Sequence, residues 1–190
     1  MRAHRLSRAF YRRPSVVVAP ELLNKVLAAG RCRGRIVEVE AYAGPLDPAS
    51  HAYRGPTVRN ATMFGPPGHL YVYFSYGMHF CANTVTGHEG DGQAVLLRAL
   101  APVAGLDVMW TRRPAARRVT DLASGPGKLC QAMGIGREQD GADLVRGPLR
   151  ILDDGVDPPE DPAVGVRIGI TRAADRPWRW YVAGDPNVSR

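Results

Sequence analysis

The sequence predicts an α+β fold, a single domain over residues 1–190 with a curved, mainly antiparallel sheet and helices outside it. Three observations lead there. Segments rich in β-branched and aromatic residues recur along the chain with turn residues between them. Two helical segments, Leu106–Arg113 and Gly127–Met133, interrupt the strands only in the second half. The length of 190 residues and the 45% hydrophobic content suit one domain with a substantial core, and neither repeats nor a linker divide it.

In chain order, Pro20-Glu21-Leu22-Leu23 opens like a short helix with proline in its first turn. Lys25–Ala29 and Gly34–Tyr42 read as a hairpin around Gly30-Arg31-Cys32-Arg33. A loop rich in Gly, Pro, Asp and Asn runs from Gly44 to Gly68. His69–Ser75, Phe80–Thr86 and Gln93–Ala101 have strand composition, with Tyr76-Gly77-Met78 as the turn joining the first two. After Leu106–Arg113, the charged stretch Arg112–Thr120 reads as mobile. Leu149–Leu152, Val164–Thr171 and Trp178–Ala183 are the late strands.

The formal net charge is +7, and of the 25 Lys and Arg residues only Lys25 and Lys128 are lysine. Positive charge favours polyanionic partners, nucleic acid before acidic protein. Arginine favours planar, bidentate contacts with phosphate, although an Arg-rich compositional bias accounts for the count equally well. Cys32, Cys81 and Cys130 are far apart, odd in number and without a CxxC, which speaks against a disulfide framework or zinc knuckle and for a reducing cytoplasm. The start, MRAHRLSRAFYRR, lacks the apolar centre of a signal peptide. No apolar run approaches the roughly 20 residues of a membrane helix, so no membrane partner is expected.

The stretch "RIVEVEAYAG" raises the chemical question. Side chains two apart on a strand share a face, so Ile36, Glu38, Glu40 and Tyr42 should lie together, opposite Val37, Val39 and Ala41. Either the acids face water or they line a cleft. The loop brings His51 soon after, and Leu70–Tyr76 contains three tyrosines, Tyr71 and Tyr73 on one face and Tyr76 at the turn. A large ring at a tight turn is hard to explain as core. Arg98 sits inside the apolar run Ala94–Leu100 and needs a carboxylate, a phosphate or water beside it. Should it meet Glu40, the two would form a structural ion pair or hold a water between them. Ser124-Gly125-Pro126-Gly127-Lys128-Leu129 is not a Walker loop, because Leu122 replaces the first glycine and Leu129 the Ser or Thr. It can still open a helix whose amides meet a phosphate. His88-Glu89-x-Asp91 is no zinc pattern, and no metal is expected.

Four ordered stretches, "RIVEVEAYAGPLDPASHAYRG", "RNATMFGPPGHLYVYFSYGMHFCANTV", "GDGQAVLLRAL" and "SGPGKLCQAMGI", resemble the alkyladenine (3-methyladenine) DNA glycosylase family, in a bacterial member. The resemblance runs from about Phe10 to the end. It implies an open barrel or roll like the C-terminal domain of methionyl-tRNA formyltransferase. It also implies a monofunctional, cofactor-free hydrolase that flips alkylated or deaminated purines out of double-stranded DNA, a monomer working in the cytoplasm at the nucleoid. Residue by residue, it makes Glu40 the base that activates water and Arg98 its partner. Tyr42, His51, Tyr73 and Asn83 become the base pocket, and Tyr76 the wedge that fills the vacated stack. Thr57, Arg59, Met78 and Lys128 become backbone contacts. Glu38 matches no catalytic role. The loop from His51 to Arg59 is slightly shorter than in some relatives, and His79 stands where an aromatic is familiar.

Two other readings remain open at this level. A noncatalytic nucleic-acid-binding module of the same fold would have no need of an acid at Glu40. A small-molecule nucleosidase would have no need of an exposed wedge at Tyr76.

Overall fold

The computed structural model describes residues 3–189. Nine strands form one antiparallel sheet: β1 (His4–Arg5), β2 (Val26–Ala29), β3 (Cys32–Ala43), β4 (Leu70–Ser75), β5 (His79–Thr86), β6 (Gln93–Ala104), β7 (Arg150–Asp153), β8 (Ala163–Gly165) and β9 (Arg179–Tyr181). The order is β1-β7-β2-β3-β6-β5-β4, with β9 added to β3 and β8 to β9. The sheet is not closed into a barrel, and four helices complete an α+β fold: α1 (Arg8–Tyr11), α2 (Ser15–Leu22), α3 (Leu106–Arg112) and α4 (Pro126–Met133).

The two 12-residue strands β3 and β6 form the spine. Along them Val37 and Arg98 stand outside the pairing: Ile36 pairs Leu100, Glu38 pairs Ala99, and Val39 pairs Leu97. These two bulges cancel, so Gly34–Ile36 and Val39–Ala43 keep the same register with β6; a further bulge leaves Val103 unpaired between Arg33↔Ala104 and Gly34↔Pro102. Each bulge exchanges the faces of its strand. Ile36, Val39 and Ala41 therefore all enter the main core, as do Leu100, Leu97 and Val95 of β6. The strict alternation that groups Ile36 with Glu38, Glu40 and Tyr42 fails at this point, because Val37 adds a residue.

The core lies between the spine and the helices. Helix α2 buries Ser15, Val18, Ala19 and Leu22, one stripe at helical spacing. It begins five residues before Pro20, so the proline lies inside the helix rather than in its first turn. Burial of the Val18–Leu22 face outweighs the hydrogen bond the proline lacks. Leu129, Cys130, Ala132 and Met133 of α4 join the same core. Fully burying a side chain the size of Leu129 or Met133 contributes about 1.5–3 kcal/mol.

Other expectations also change. Strands β2 and β3 meet at a two-residue turn, Gly30-Arg31, and β6 continues to Ala104. The stretch Val164–Thr171 is strand only as far as Gly165, because its backbone then turns to other partners. Arg112–Thr120 carries hydrogen bonds of its own: Arg113 donates to Gln131 Oε1 at 2.6 Å, and the Asp121 carboxylate accepts from the backbone of Arg117 and Arg118.

At the end of β3, Gly44 takes a left-handed φ of 62°, and a Cβ there would lie 2.3 Å from the Asp91 carbonyl oxygen. Gly44→Ala should cost about 1–2 kcal/mol for the backbone and about 1–3 kcal/mol for the clash. Urea unfolding measures this; an unchanged midpoint would mean the turn relaxes freely.

Candidate active site

The bulged spine fixes the site floor. Glu38 and Glu40 project from β3 and are both fully buried. Arg98, at the facing bulge of β6, lies between them: its Nε donates to Glu38 Oε1 at 3.0 Å and its Nη1 is 3.1 Å from Glu40 Oε1. A buried carboxylate requires such company.

The two acids are partnered differently. Glu38 accepts from Arg98, from Arg179 Nη1 at 2.8 Å, and from the Ser189 backbone N–H and hydroxyl at 2.8 and 2.9 Å. Its oxygens are filled by fixed protein groups. Glu40 accepts from the Ile168 N–H at 2.7 Å on Oε1 and the Tyr42 hydroxyl at 2.9 Å on Oε2. Burial pushes the Glu40 carboxyl above the usual carboxylate range; Arg98 and those two hydrogen bonds oppose the rise. Burial alone would lower the Arg98 pKa, but the two acids outweigh it and keep the guanidinium firmly charged. Burial also raises the Tyr42 phenol, so it stays a neutral donor.

Above this floor opens a cavity of about 550 Å³. Tyr42, Arg98 and Ile168 line its base, and these are the residues that bond Glu40, so the carboxylate lies just beneath. His51 and Tyr73 form one wall in an edge contact, ring centroids 4.5 Å apart, and Tyr73 stacks on Tyr71 at 5.5 Å. The Tyr71 hydroxyl meets His51 Nδ1 at 3.1 Å and orients the imidazole. Partial burial, then Arg59, lower the His51 pKa, favouring the neutral ring. Asn83 is buried in the wall, its amide nitrogen donating to the Tyr71 carbonyl at 3.2 Å. Cys81 adds a thiol that burial holds protonated.

The mouth lies between the β4–β5 turn and the segment after β8. Tyr76 and Gly77 both have positive φ, 50° and 65°, and Met78 N–H closes the turn on the Ser75 carbonyl at 3.0 Å. A left-handed tyrosine costs about 1–2 kcal/mol, and its ring is 76% exposed. Its hydroxyl reaches across to the Gly169 carbonyl at 3.2 Å.

Of the residues singled out in the sequence, Glu40, Arg98, Tyr42, His51, Tyr73, Asn83, Tyr76 and Arg59 thus gather at one cavity. Thr57 lines only a neighbouring cavity of about 280 Å³, which it shares with Arg54, Arg59 and Arg172. Met78 is exposed on the hairpin tip, and Lys128 is exposed on α4, bonded to Ser124 Oγ. Ile168, Arg179, Ser189 and Arg167 join the site without having stood out in the sequence, and Tyr71, grouped there with Tyr73, supports the wall from behind. Arg167 carries the signal that exposed Arg98, a single arginine inside an apolar run; the backbone donor of Ile168 has no sequence signal. Among the described residues no group of His, Cys, Asp and Glu has the arrangement of a metal site, and no helix is long and apolar enough to cross a membrane.

The sequence profile of a family described as methylpurine-DNA glycosylase (MPG) matches residues 9–186. A protein of Burkholderia cenocepacia (strain HI2424) named "Putative 3-methyladenine DNA glycosylase" is 60% identical over 185 residues, covering 96% of this chain and 89% of its own. Proteins with the same name from Methanoculleus marisnigri and Streptomyces avermitilis are 51% and 47% identical, each over 97% of this chain and over 98% and 90% of their own.

The raised Glu40 pKa has a stability consequence. Below the ordinary glutamate range the group is protonated whether the chain is folded or not. As pH rises, the unfolded chain ionises first, so Glu40 costs stability through the window up to its folded pKa. Wild type should therefore lose ground to Glu40→Gln across that window, by about 1.4 kcal/mol per unit of displacement. Urea unfolding of both proteins from acid to neutral pH measures the drift, and a drift the other way would show that Arg98 outweighs burial.

Proposed function

The chain belongs to the methylpurine-DNA glycosylase family, and on that premise we propose that it is a monofunctional purine DNA glycosylase of base-excision repair. It hydrolyses the N-glycosidic bond of an alkylated or deaminated purine flipped out of duplex DNA. The observation that carries the reading is the Glu40–Arg98 pair set beneath a cavity walled by aromatic rings. Flipping a base costs a few kcal/mol. The Tyr42, His51 and Tyr73 rings repay part of that by stacking, most of all when alkylation makes the purine cationic. Asn83 limits what fits at the purine edge.

The chemistry follows from the floor. The base leaves with the electron pair of the glycosidic bond, and positive charge develops on the sugar. Glu40 stabilises that charge, takes one proton from water, and the hydroxyl adds to the sugar carbon. Arg98 aligns the carboxylate and faces the nearby phosphate. A carboxyl with a raised pKa accepts a proton more readily than an ordinary one, the direction a base needs.

The product is an intact abasic site. Strand cleavage by such enzymes requires an amine nucleophile. Lys25 is buried and paired with Asp153 at 2.9 Å, and Lys128 is turned to Ser124. The N-terminal amine lies outside the described residues.

The duplex contacts fall on Tyr76 as wedge, with Arg59, Thr57, Met78 and Lys128 along the backbone. The Arg54–Arg59–Arg172 cluster adds charge beside the cavity.

Glu40→Gln should abolish base release while keeping affinity for lesion duplex, since the amide keeps the shape and cannot take the proton. Base release from duplexes each carrying one defined lesion decides this and ranks the substrates; wild-type release by the variant would overturn the mechanism. Tyr76→Ser should leave melting almost unchanged, within about 0.5 kcal/mol for an exposed position. It should shift the flipping equilibrium by about 1–3 kcal/mol, the scale of base–aromatic stacking. A fluorescent base analogue at the lesion reports flipping, and a large loss of melting temperature with normal flipping would return Tyr76 to a structural role.

A further inference from the structure

Arg167 has a fully buried side chain, more so than Arg98 or Lys25. Its Nη1 and Nη2 both bond the Asp47 carboxylate, the longer bond 2.9 Å, and donate further to the carbonyls of Ala41 and Ala173 at 2.9 and 3.3 Å. The guanidinium lies over the rings of Tyr42, 4.7 Å from the centroid, and Trp178, at 5.2 Å. A buried ion pair is weak as a source of stability, because well-packed apolar groups often serve as well. What sets this one apart is what hangs from it.

Both neutral donors to Glu40 do. The next residue is Ile168, whose N–H meets Glu40 Oε1. The ring under the guanidinium is Tyr42, whose hydroxyl meets Glu40 Oε2. The partner Asp47 also accepts from the N–H groups of Ala43 and Ala49, tying down the start of the loop that carries His51 to the cavity wall.

We propose that Arg167, clamped by Asp47, is a positioning residue that holds the Ile168 N–H and the Tyr42 hydroxyl on the Glu40 carboxylate. It touches neither substrate nor cavity and acts only through those two donors. The inference rests on Glu40 being the base that takes the proton from water. Hydrogen bonds to the ionised form favour it, so their loss makes Glu40 hold its proton to higher pH. The other groups facing Glu40 are Arg98 from β6, Glu38 from its own strand, Tyr73 from β4 and Cys81 from β5; Arg179 of β9 pairs with Glu38. Arg167 bonds none of these groups directly; Arg179 is linked to its segment, since the Arg179 Nε donates to the Val166 carbonyl at 3.0 Å, so a pH shift through Arg179 would have to pass by way of Glu38.

The test is single-turnover release of purines from methylated duplex DNA across pH, with Arg167→Lys, Arg167→Met and Tyr42→Phe beside Glu40→Gln. Arg167→Lys keeps the charge but not the fork, and Arg167→Met removes both. In each, the acid limb of the rate profile should move up by about one pH unit. The loss is then about tenfold on the acid side and is recovered on the alkaline plateau. Tyr42→Phe, which removes one donor, should shift the limb in the same direction by less. Adding Arg167→Lys to it should shift the limb by less than the two separate effects together. A merely structural arginine predicts a uniform drop in rate with the limb in place, and that result in any folded variant overturns the proposal. Should Arg167→Met not fold, Arg167→Lys and Tyr42→Phe carry the decision. An inactive Glu40→Gln together with an unmoved limb in the arginine variants sinks the positioning role alone, whereas an active Glu40→Gln sinks the base beneath it.

Discussion

Among the described residues Arg98 is the one group that bonds both acids of the floor, and the site is arranged around it. Two buried carboxylates on one strand repel each other, and a single guanidinium between them offsets that repulsion. Arg98 divides its donors, Nε to Glu38 and Nη1 to Glu40. The asymmetry beyond it decides the roles. Arg179 and Ser189 occupy what Arg98 leaves of Glu38, so that acid serves as a counter-ion and an anchor for the chain end. Glu40 keeps a neutral second tier, an amide and a phenol, beneath an open cavity. A carboxylate with one cation and two neutral donors remains adjustable in a way that one with two cations does not.

Much of this was legible in the sequence. Eight of the nine strands among the described residues follow from residue composition and turn chemistry, β8 only in the first residues of Val164–Thr171, and α3 and α4 from their apolar spacing. Strand β1 and helix α1 have two and four residues, too few to show a period. The true start of α2 is hidden because the β-branched run Val16-Val17-Val18 has no strong helix preference and Pro20 reads as a helix opening, while burial against the spine decides otherwise. Among site residues, alternation makes Glu40, Tyr42 and Tyr73 conspicuous, the tight turn Tyr76, and the apolar run Arg98, whereas Asn83, Thr57 and Arg59 have no such signal and come only with the family resemblance. Ile168 has none either, since its contribution is a backbone N–H and any residue supplies one. Its stretch reads as a strand, and only the fold reveals that the chain leaves the ladder after Gly165.

The cavity wall shows a second way in which side chains are held by partners of low charge. Tyr71 is almost wholly buried, yet its hydroxyl reaches His51 and its carbonyl reaches Asn83. One tyrosine thereby orients two groups that face the cavity, and stacks on a third, Tyr73. The core cluster that contains Tyr71, with Ala52, Met63, Val85 and Ala94, is small and separate from the main core. Its packing therefore serves the wall more than the domain as a whole.

The cancelling bulges of β3 and β6 carry a consequence for how such a site can change over time. Either bulge alone would leave the two strands one residue out of step from there onward, and every side chain beyond it would trade places between core and cavity. An inserted or deleted residue at Val37 is thus not a local edit; it demands a matching edit some sixty positions later, beside Arg98. Intermediate sequences holding only one of the two would bury the wrong half of each strand. Between Gly34 and Ala43 the spine is consequently open to substitution one residue at a time but closed to changes in length, and tolerance for such changes is left to its far end, where the lone bulge at Val103 has little strand beyond it to displace, and to loops that carry no register.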